Sequence, residues 1–274
     1  MKRGISLSWA YIDAAPQLHH NGKQRIVIFA SKLAGCAGMH KYMNQDEMRY
    51  EFQHALYGLE ARDVIPEGYM PPKEYEEVAK AGLTTYAKTL LSETKNKITC
   101  LNDATLTSKI VTDTISMINT MEDVSEAAKE LVRKELNTHH GTVGEDSIRA
   151  DTQQAVEGRS ISVDNKFRTC PRPLFEIDKF DIYVGGKHDG LMKDEDGHAT
   201  LTEIKNRTRR HLGVPLYERV QLHAYMEIFG VRKGMLIENY RKNREEHDVY
   251  FDDDLWAGVM SSTEKFIRDS IITL

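Results

Sequence analysis

The chain has 274 residues, with 37 lysines and arginines against 42 aspartates and glutamates, a formal net charge of −5, and 40% hydrophobic residues. Its 18 glycines and 7 prolines are too few for a collagen-like or wholly disordered chain, and no apolar run reaches the roughly 18–20 residues of a membrane span. Three widely spaced thiols, Cys36, Cys100 and Cys170, cannot complete a four-cysteine metal site, so no iron–sulfur cluster is expected.

The start, Met1-Lys2-Arg3, leads into an apolar stretch that Ser6, Ser8 and Asp13 interrupt, with no small-residue cleavage pattern behind it. The chain therefore reads as intracellular and not secreted. Its acidic total excludes coating nucleic acid by charge alone, but permits a local basic groove beside an acidic metal site.

From about Asn44 to Gly158 the rhythm is helical, with apolar residues three and four apart in Lys73–Lys97, Asp103–Asn119 and Ser125–Leu136. Val64–Pro72 interrupts it as a surface loop. His139-His140 would close a solvated helix, where imidazolium complements the dipole. Gly141-Thr142-Val143-Gly144-Glu145 then predicts a helix start, with Thr142 as cap and Glu145 completing a capping box. Glu145 also falls in register with Ile148, Thr152, Ala155 and Val156, on or beside the face that helix should bury, which makes it a candidate metal ligand.

From Ser160 onward β-branched and aromatic residues alternate with polar ones, in Ile161–Val163, Phe180–Val184 and Thr200–Ile204. Asp194-Glu195-Asp196-Gly197 is a turn signal that predicts a hairpin of Phe180–Met192 with Ala199–Lys205. If Gly197 takes positive φ, residues whose numbers sum to 392 face each other, and Asp189 opposes Glu203. Strand parity puts Glu203 and Lys205 on one face. Two carboxylates and an ammonium near a core are costly without a counter-ion, and oxygen donors suit Mg²⁺ or Mn²⁺. Such an ion binds a scissile phosphate and acidifies a water.

Leu216–Phe229 reads as an amphipathic helix, in which Gln221 is either a satisfied core amide or a group that positions a water or Lys205. Two short basic clusters, Lys205–His211 and Arg241–Arg244, flank the strand Gly234–Tyr240. Arg207, Arg209 and Arg210 in the first are candidates for phosphate contact. No linker or repeat divides the chain. A single composite domain over 1–274 is expected, helix-rich over about 1–140 and with an αβ core over about 141–274.

Phe29-Ala30-Ser31, Gly141-Thr142-Val143-Gly144-Glu145, His188-Asp189-Gly190, Glu203-Ile204-Lys205 and Val220–Tyr225 occur in an order that resembles the PD-(D/E)xK nuclease superfamily, and within it the phage λ exonuclease and YqaJ viral recombinase branch. Glu93-Thr94-Lys95 has the same Glu-x-Lys form but lies in a helical pattern without an upstream Asp. The resemblance implies an α/β, restriction-endonuclease-like mixed sheet flanked by helices. It implies Mg²⁺ or Mn²⁺ on Asp189, Glu203 and the Ile204 carbonyl, with Glu145 at the metal site, Lys205 assisting the attacking water and Gln221 as the motif glutamine. Arg25 and Ser31 resemble contacts to a terminal 5′ phosphate, one residue closer together than the pattern; the usual proline before the first aspartate is His188 here.

The activity that this resemblance implies is that of a metal-dependent DNA exonuclease acting 5′→3′ on linear duplex ends in viral or phage-type recombination and repair. DNA ends, a single-strand annealing protein and copies of the chain itself would be its partners, with no membrane. The alternatives are a single-strand RecB-like nuclease, an endonuclease, and a catalytically inactive DNA-binding protein of the same fold. Zinc hydrolysis lacks a His-Glu-x-x-His or Cys-x-x-Cys spacing.

Overall fold

The computed structural model describes residues 5–7, 9–12, 23–57, 70, 72–101, 103–155, 160–162, 166–193, 197–241 and 243–271, and of 5–6, 57, 72–73, 104, 144–155 and 160–161 the backbone alone. Chain order is β1 (Ile5–Ser6), β2 (Ala10–Ile12), β3 (Gln24–Phe29), a 3-10 turn (Ala30–Lys32), α1 (Leu33–Cys36), α2 (Gln45–Tyr57), α3 (Pro72–Ala81), α4 (Thr85–Cys100), α5 (Ala104–Asn119) and α6 (Glu126–Ala155). Next come β4 (Ser160–Ser162), β5 (Arg168–Thr169), β6 (Phe175–Ile177), β7 (Phe180–Gly186), β8 (Gly190–Lys193), β9 (Ala199–Arg207), α7 (Leu216–Phe229), β10 (Lys233–Tyr240), β11 (Asn243–Tyr250) and α8 (Asp253–Ser270). The architecture is the expected α/β one: a helix-rich N-terminal half and mixed sheets beyond it.

Caps set the helix boundaries. Asp103 accepts from the amides of Thr105 and Leu106 to open α5, and Thr84 accepts from Ala87 to open α4. The single helical run expected over Lys73–Lys97 is broken at Gly82–Thr84, where a Cβ on Gly82 would meet Ser125 Oγ. The helix start expected at Thr142 does not occur. Ser125 caps α6 instead, accepting from the Ala128 amide, and the helix runs on through Gly141 and Gly144. Each interior glycine costs about 1 kcal/mol against alanine. Burial of Ala128, Leu131, Val132 and Leu136 in a core shared with α3, α4 and α5 offsets that cost. The loop expected over Val64–Pro72 lies mostly outside the described residues, and Pro72 itself opens α3.

One sheet has the order β1-β2-β3-β7-β5, with β6 also on β7, and the other β11-β10-β9-β8-β4. The strand expected over Phe180–Met192 is two strands, one in each sheet, separated at Lys187-His188-Asp189. The hairpin register is as expected: Gly190 faces Thr202 and Met192 faces Thr200, and Gly197 has φ +83°. The rest of that turn, 194–196, lies outside the described residues.

β9 and β10 are parallel and joined through α7. Every residue from Val220 to Met226 is buried, so the middle of this helix is enclosed on all sides, while Leu216, Arg219 and Glu227 toward its ends are exposed. It ends at Gly230, whose φ of +65° is the left-handed conformation that lets the Gly230 and Val231 amides reach Glu227 and Met226. Val220, Leu222 and Tyr225 join Ile26, Ile28, Ile182 and Val184 in the larger core.

Candidate active site

β9 alternates. Glu203, Lys205 and Arg207 point toward α7, while Ile204 packs with Met192, Met235 and Ile237, and Asn206 meets His140 of α6. On the α7 side Lys205 Nζ donates to Glu203 Oε1 at 2.7 Å, and Gln221 Nε2 donates to the same oxygen at 2.8 Å. Asp189, at the break between β7 and β8, accepts the Ile204 amide on Oδ2 at 2.8 Å. Its carboxylate is thus tied to the backbone unit that carries Glu203. The strand break, which falls in the glycine-rich polar run Gly185-Gly186-Lys187-His188-Asp189-Gly190, is what turns Asp189 toward β9.

Glu203 is buried, Asp189 half-buried, and the Lys205 side chain keeps 25% of its exposure. Burial alone would lower the Lys205 pKa, but Glu203 beside it, with Glu218 and Asp189 behind, holds it above its ordinary value. The lysine is therefore an ammonium. Tyr225 lies one turn after Gln221, with its hydroxyl 3.4 Å from Gln221 Nε2. Burial first, then the Glu203 charge, drives its pKa up and keeps it a neutral phenol. A Cβ on Gly186 would meet the Tyr225 ring at 2.7 Å, so the absence of a side chain there lets the ring close over the site.

Two carboxylates and the Ile204 carbonyl are hard oxygen donors, and they fit Mg²⁺ or Mn²⁺ by chemistry. Glu145 lies on α6, which is helical here; its side chain is outside the described residues.

Arg207 corrects an expectation. Instead of facing a phosphate, it donates to both oxygens of Glu218 at 2.9 and 2.7 Å and through Nε to Glu238 at 2.5 Å. Glu238, fully buried, also accepts the amides of Leu212 and Gly213. Glu218 sits three residues before Gln221 on α7, so this clamp ties the helix start to β9. Neither acid is conspicuous in the sequence; the signal available was that 218 and 221 share a helix face as 205 and 207 share a strand face.

Arg209 and Arg210 are exposed. Ser31 is exposed in the 3-10 turn that packs on α7. Arg25 lies elsewhere: its guanidinium is 4.2 Å above the Tyr183 ring and donates to Thr169 Oγ1 at 2.6 Å, in a cavity of about 480 Å³ lined also by Tyr11, Val27, Phe29 and Phe167. Phe167 and Val27 cover Gly185, whereas Tyr225 covers Gly186, so strand alternation places Arg25 and Tyr225 on opposite faces of β7. His140, expected at a solvated helix end, is buried within α6; burial lowers its pKa, and its Nδ1 lies 2.8 Å from Asn206 Nδ2. His188 is buried against the Phe229 ring.

No protein-family model matches the chain, and no curated protein matches it in sequence. Among solved structures it is similar to an alkaline exonuclease, LHK-Exo, from Laribacter hongkongensis, at 14% identity over 65% of this chain and 86% of that one, with a TM-score of 0.36. It is similar to the SSO0001 structure at 16% identity, 68% and 86% coverage and a TM-score of 0.37. LHK-Exo in complex with dAMP aligns at 16% identity, 65% and 85% coverage and a TM-score of 0.35. Superpositions this loose add nothing to the function, which has to be read from the side chains. Among the described residues, no helix is long and apolar enough to cross a membrane.

Proposed function

We propose that the protein is a divalent-metal-dependent DNA nuclease that hydrolyses phosphodiester bonds from the ends of linear duplex, 5′→3′, in the end resection that precedes recombination. The observation that carries this reading is the convergence of Asp189, Glu203, Lys205 and Gln221 from three separate segments on one half-open position.

Asp189, Glu203 and the Ile204 carbonyl would hold Mg²⁺ or Mn²⁺, with Glu145 as a further ligand. The ion supplies charge neutralisation at the scissile phosphate and acidifies a water. Lys205, charged and fixed by Glu203, orients that water and meets the developing negative charge. Gln221 holds the Glu203 carboxylate in place, leaving the lysine one defined geometry. Attack in line on phosphorus leaves a 5′ phosphate on one product and a 3′ hydroxyl on the other. Arg209 and Arg210 on the loop beyond β9, and Ser31 in the 3-10 turn after β3, are the phosphate contacts in this reading, with Arg25 beyond β7 as an outlying one.

The test uses linear duplex labelled at its 5′ or its 3′ end, beside a covalently closed circle, with Mg²⁺ or with chelator. Metal-dependent release of the 5′ label as mononucleotides with the circle intact is the expected result. A cut circle would make the protein an endonuclease, and shift or binding of DNA without any cleavage would make it an inactive DNA-binding relative.

A further inference from the structure

The row of α7 side chains that serves the site extends past Gln221. Tyr217, Gln221 and Tyr225 are four residues apart and share one face of the helix. Tyr217 is the N-terminal member of that row, half-buried and within reach of the charges of Arg207 and Lys205. The His40 ring lies 4.6 Å from the Tyr217 ring at 50°, and the Tyr42 ring 5.9 Å from His40 at 67°. Three rings thus lead outward from beside Lys205 to Tyr42, which is 73% exposed.

The loop between α1 and α2 holds the outer two rings in place. Met39 and Met43 pack against the larger core, and Gly35 leaves room for Met43, since a Cβ there would meet Met43 Sδ at 2.6 Å. Gln45 Nε2 donates to the Cys36 carbonyl at 2.6 Å, and the Met43 amide donates to the His40 carbonyl at 3.0 Å. Anchored at Met39 and Met43, the loop presents His40, Lys41 and Tyr42 as its crest. A tyrosine as exposed as Tyr42 adds little to the core, so packing does not account for it.

Charge indicates the occupant. Lys41 Nζ lies 4.6 Å from the centre of the Tyr42 ring. Lys41 and Arg210, both exposed, are close enough for their charges to repel, an arrangement that a bridging anion relieves. Cations beside ring faces suit a ligand with an anionic backbone and flat, uncharged groups along it, which is the chemistry of single-stranded nucleic acid. Inside a duplex each base is covered by its neighbours, so a protein ring finds a free face only where bases are unpaired.

Resting on the nuclease reading above, we infer that His40, Tyr42 and Tyr217 form a stacking step for unpaired bases of the DNA strand beside the scissile phosphate, with Lys41 and Arg210 on its phosphates. Tyr42 takes the outermost base, and Tyr217, in the same row as Gln221, sets the register of the strand against Lys205. The rings come from two separate segments, so neither stretch of sequence reveals the step by itself. Stacking tolerates any base, and the surface therefore selects unpaired strand over blunt duplex without selecting a sequence.

The test is fluorescence anisotropy of the full-length chain with a labelled oligothymidylate and with a blunt duplex of the same length, in EDTA so that nothing is cut. Tyr42→Ala should weaken binding of the single strand by roughly 5- to 100-fold and leave the duplex unchanged. Tyr42→Phe, which keeps the ring, should bind within about twofold of the unmodified chain. Tyr42→Ala should also keep the salt dependence, whereas Lys41→Ala should lower its slope by about 0.7. Single-strand affinity unchanged in Tyr42→Ala, an equal loss on the duplex, or failure of phenylalanine to restore binding would each overturn the step. The measurement needs no cleavage, so the two readings fail separately. A chain that binds single strand through Tyr42 but cuts no DNA keeps the step and refutes the nuclease; one that cuts linear duplex while Tyr42→Ala binds normally keeps the nuclease and refutes the step.

Discussion

Two charge clusters sit side by side on the α7 face of β9, built from the same ingredients and finished differently. At Arg207, guanidinium N–H groups are shared between Glu218 and Glu238, Glu238 also accepts the amides of Leu212 and Gly213, and the arginine side chain is 13% exposed. Two residues earlier, Lys205 and Gln221 converge on a single oxygen of Glu203, Asp189 accepts one backbone amide, and the lysine remains 25% exposed. A rigid planar fork that bridges two carboxylates makes a brace, whereas the compact Lys205 ammonium, bonded to Glu203 and partly exposed, faces solvent. Exposure of the cation separates the two clusters more clearly than charge count does.

The largest expected effect breaks the brace. Arg207→Met leaves Glu218 and Glu238 buried without a cation and should cost about 3–5 kcal/mol in denaturant unfolding. Lys205→Met should cost less, about 1.5–3 kcal/mol. Its cleavage rate should nevertheless fall by on the order of 10²- to 10³-fold, so the two variants separate stability from rate. Equal losses of stability would erase the distinction.

A smaller effect sharpens it. Gly186→Ala adds a methyl 2.7 Å from the Tyr225 ring, and moving that ring disturbs Gln221. Overpacking of this kind costs about 1–3 kcal/mol. The cleavage rate should drop while the Arg207 brace, which does not touch Tyr225, is unaffected. An unchanged rate would remove Tyr225 from the site.

The smallest effect is in pH. Burial alone would raise the Glu238 pKa, but the Leu212 amide, Arg207 and the Gly213 amide outweigh it and hold it below 4.5. Its contribution to stability is complete above its unfolded value and is lost as pH falls through the folded one. The Lys205 pKa lies above 10.5, so the Lys205 contribution is complete below that value and is lost as pH rises through the folded one. The brace should weaken from the acid side and the site from the alkaline side. Glu238→Gln should therefore flatten the acid limb of a stability profile and leave the alkaline limb alone.

Much of the fold was legible where local signals and tertiary packing agree. α7 runs over the residues its periodicity defines, and the β8–β9 register comes from a turn ending in Gly197. Glu203 and Lys205 share a face because strand parity requires it. What could not be read is where distant segments override a local preference. Ser125 and the helical core carry α6 past a convincing second start at Thr142, and the shift between sheets at Lys187–Asp189 divides what reads as one strand, although Gly185-Gly186-Lys187-His188-Asp189-Gly190 carries the glycines and polar residues of a break. Arg207 looked like its exposed neighbours Arg209 and Arg210; only the arrival of Glu218 and Glu238 from later elements distinguishes it.

The central claim is that Asp189, Glu203 and Lys205 form a hydrolytic centre for DNA phosphodiesters. Its most direct test is single-turnover cleavage of linear duplex in Mg²⁺ by Asp189→Asn and Glu203→Gln against the unmodified chain, with melting temperature measured on the same samples. Losing several kcal/mol of charge stabilisation predicts a fall of roughly 10³-fold for each variant with the cooperative melt retained. Cleavage within about tenfold of the unmodified chain in either folded variant would contradict the account.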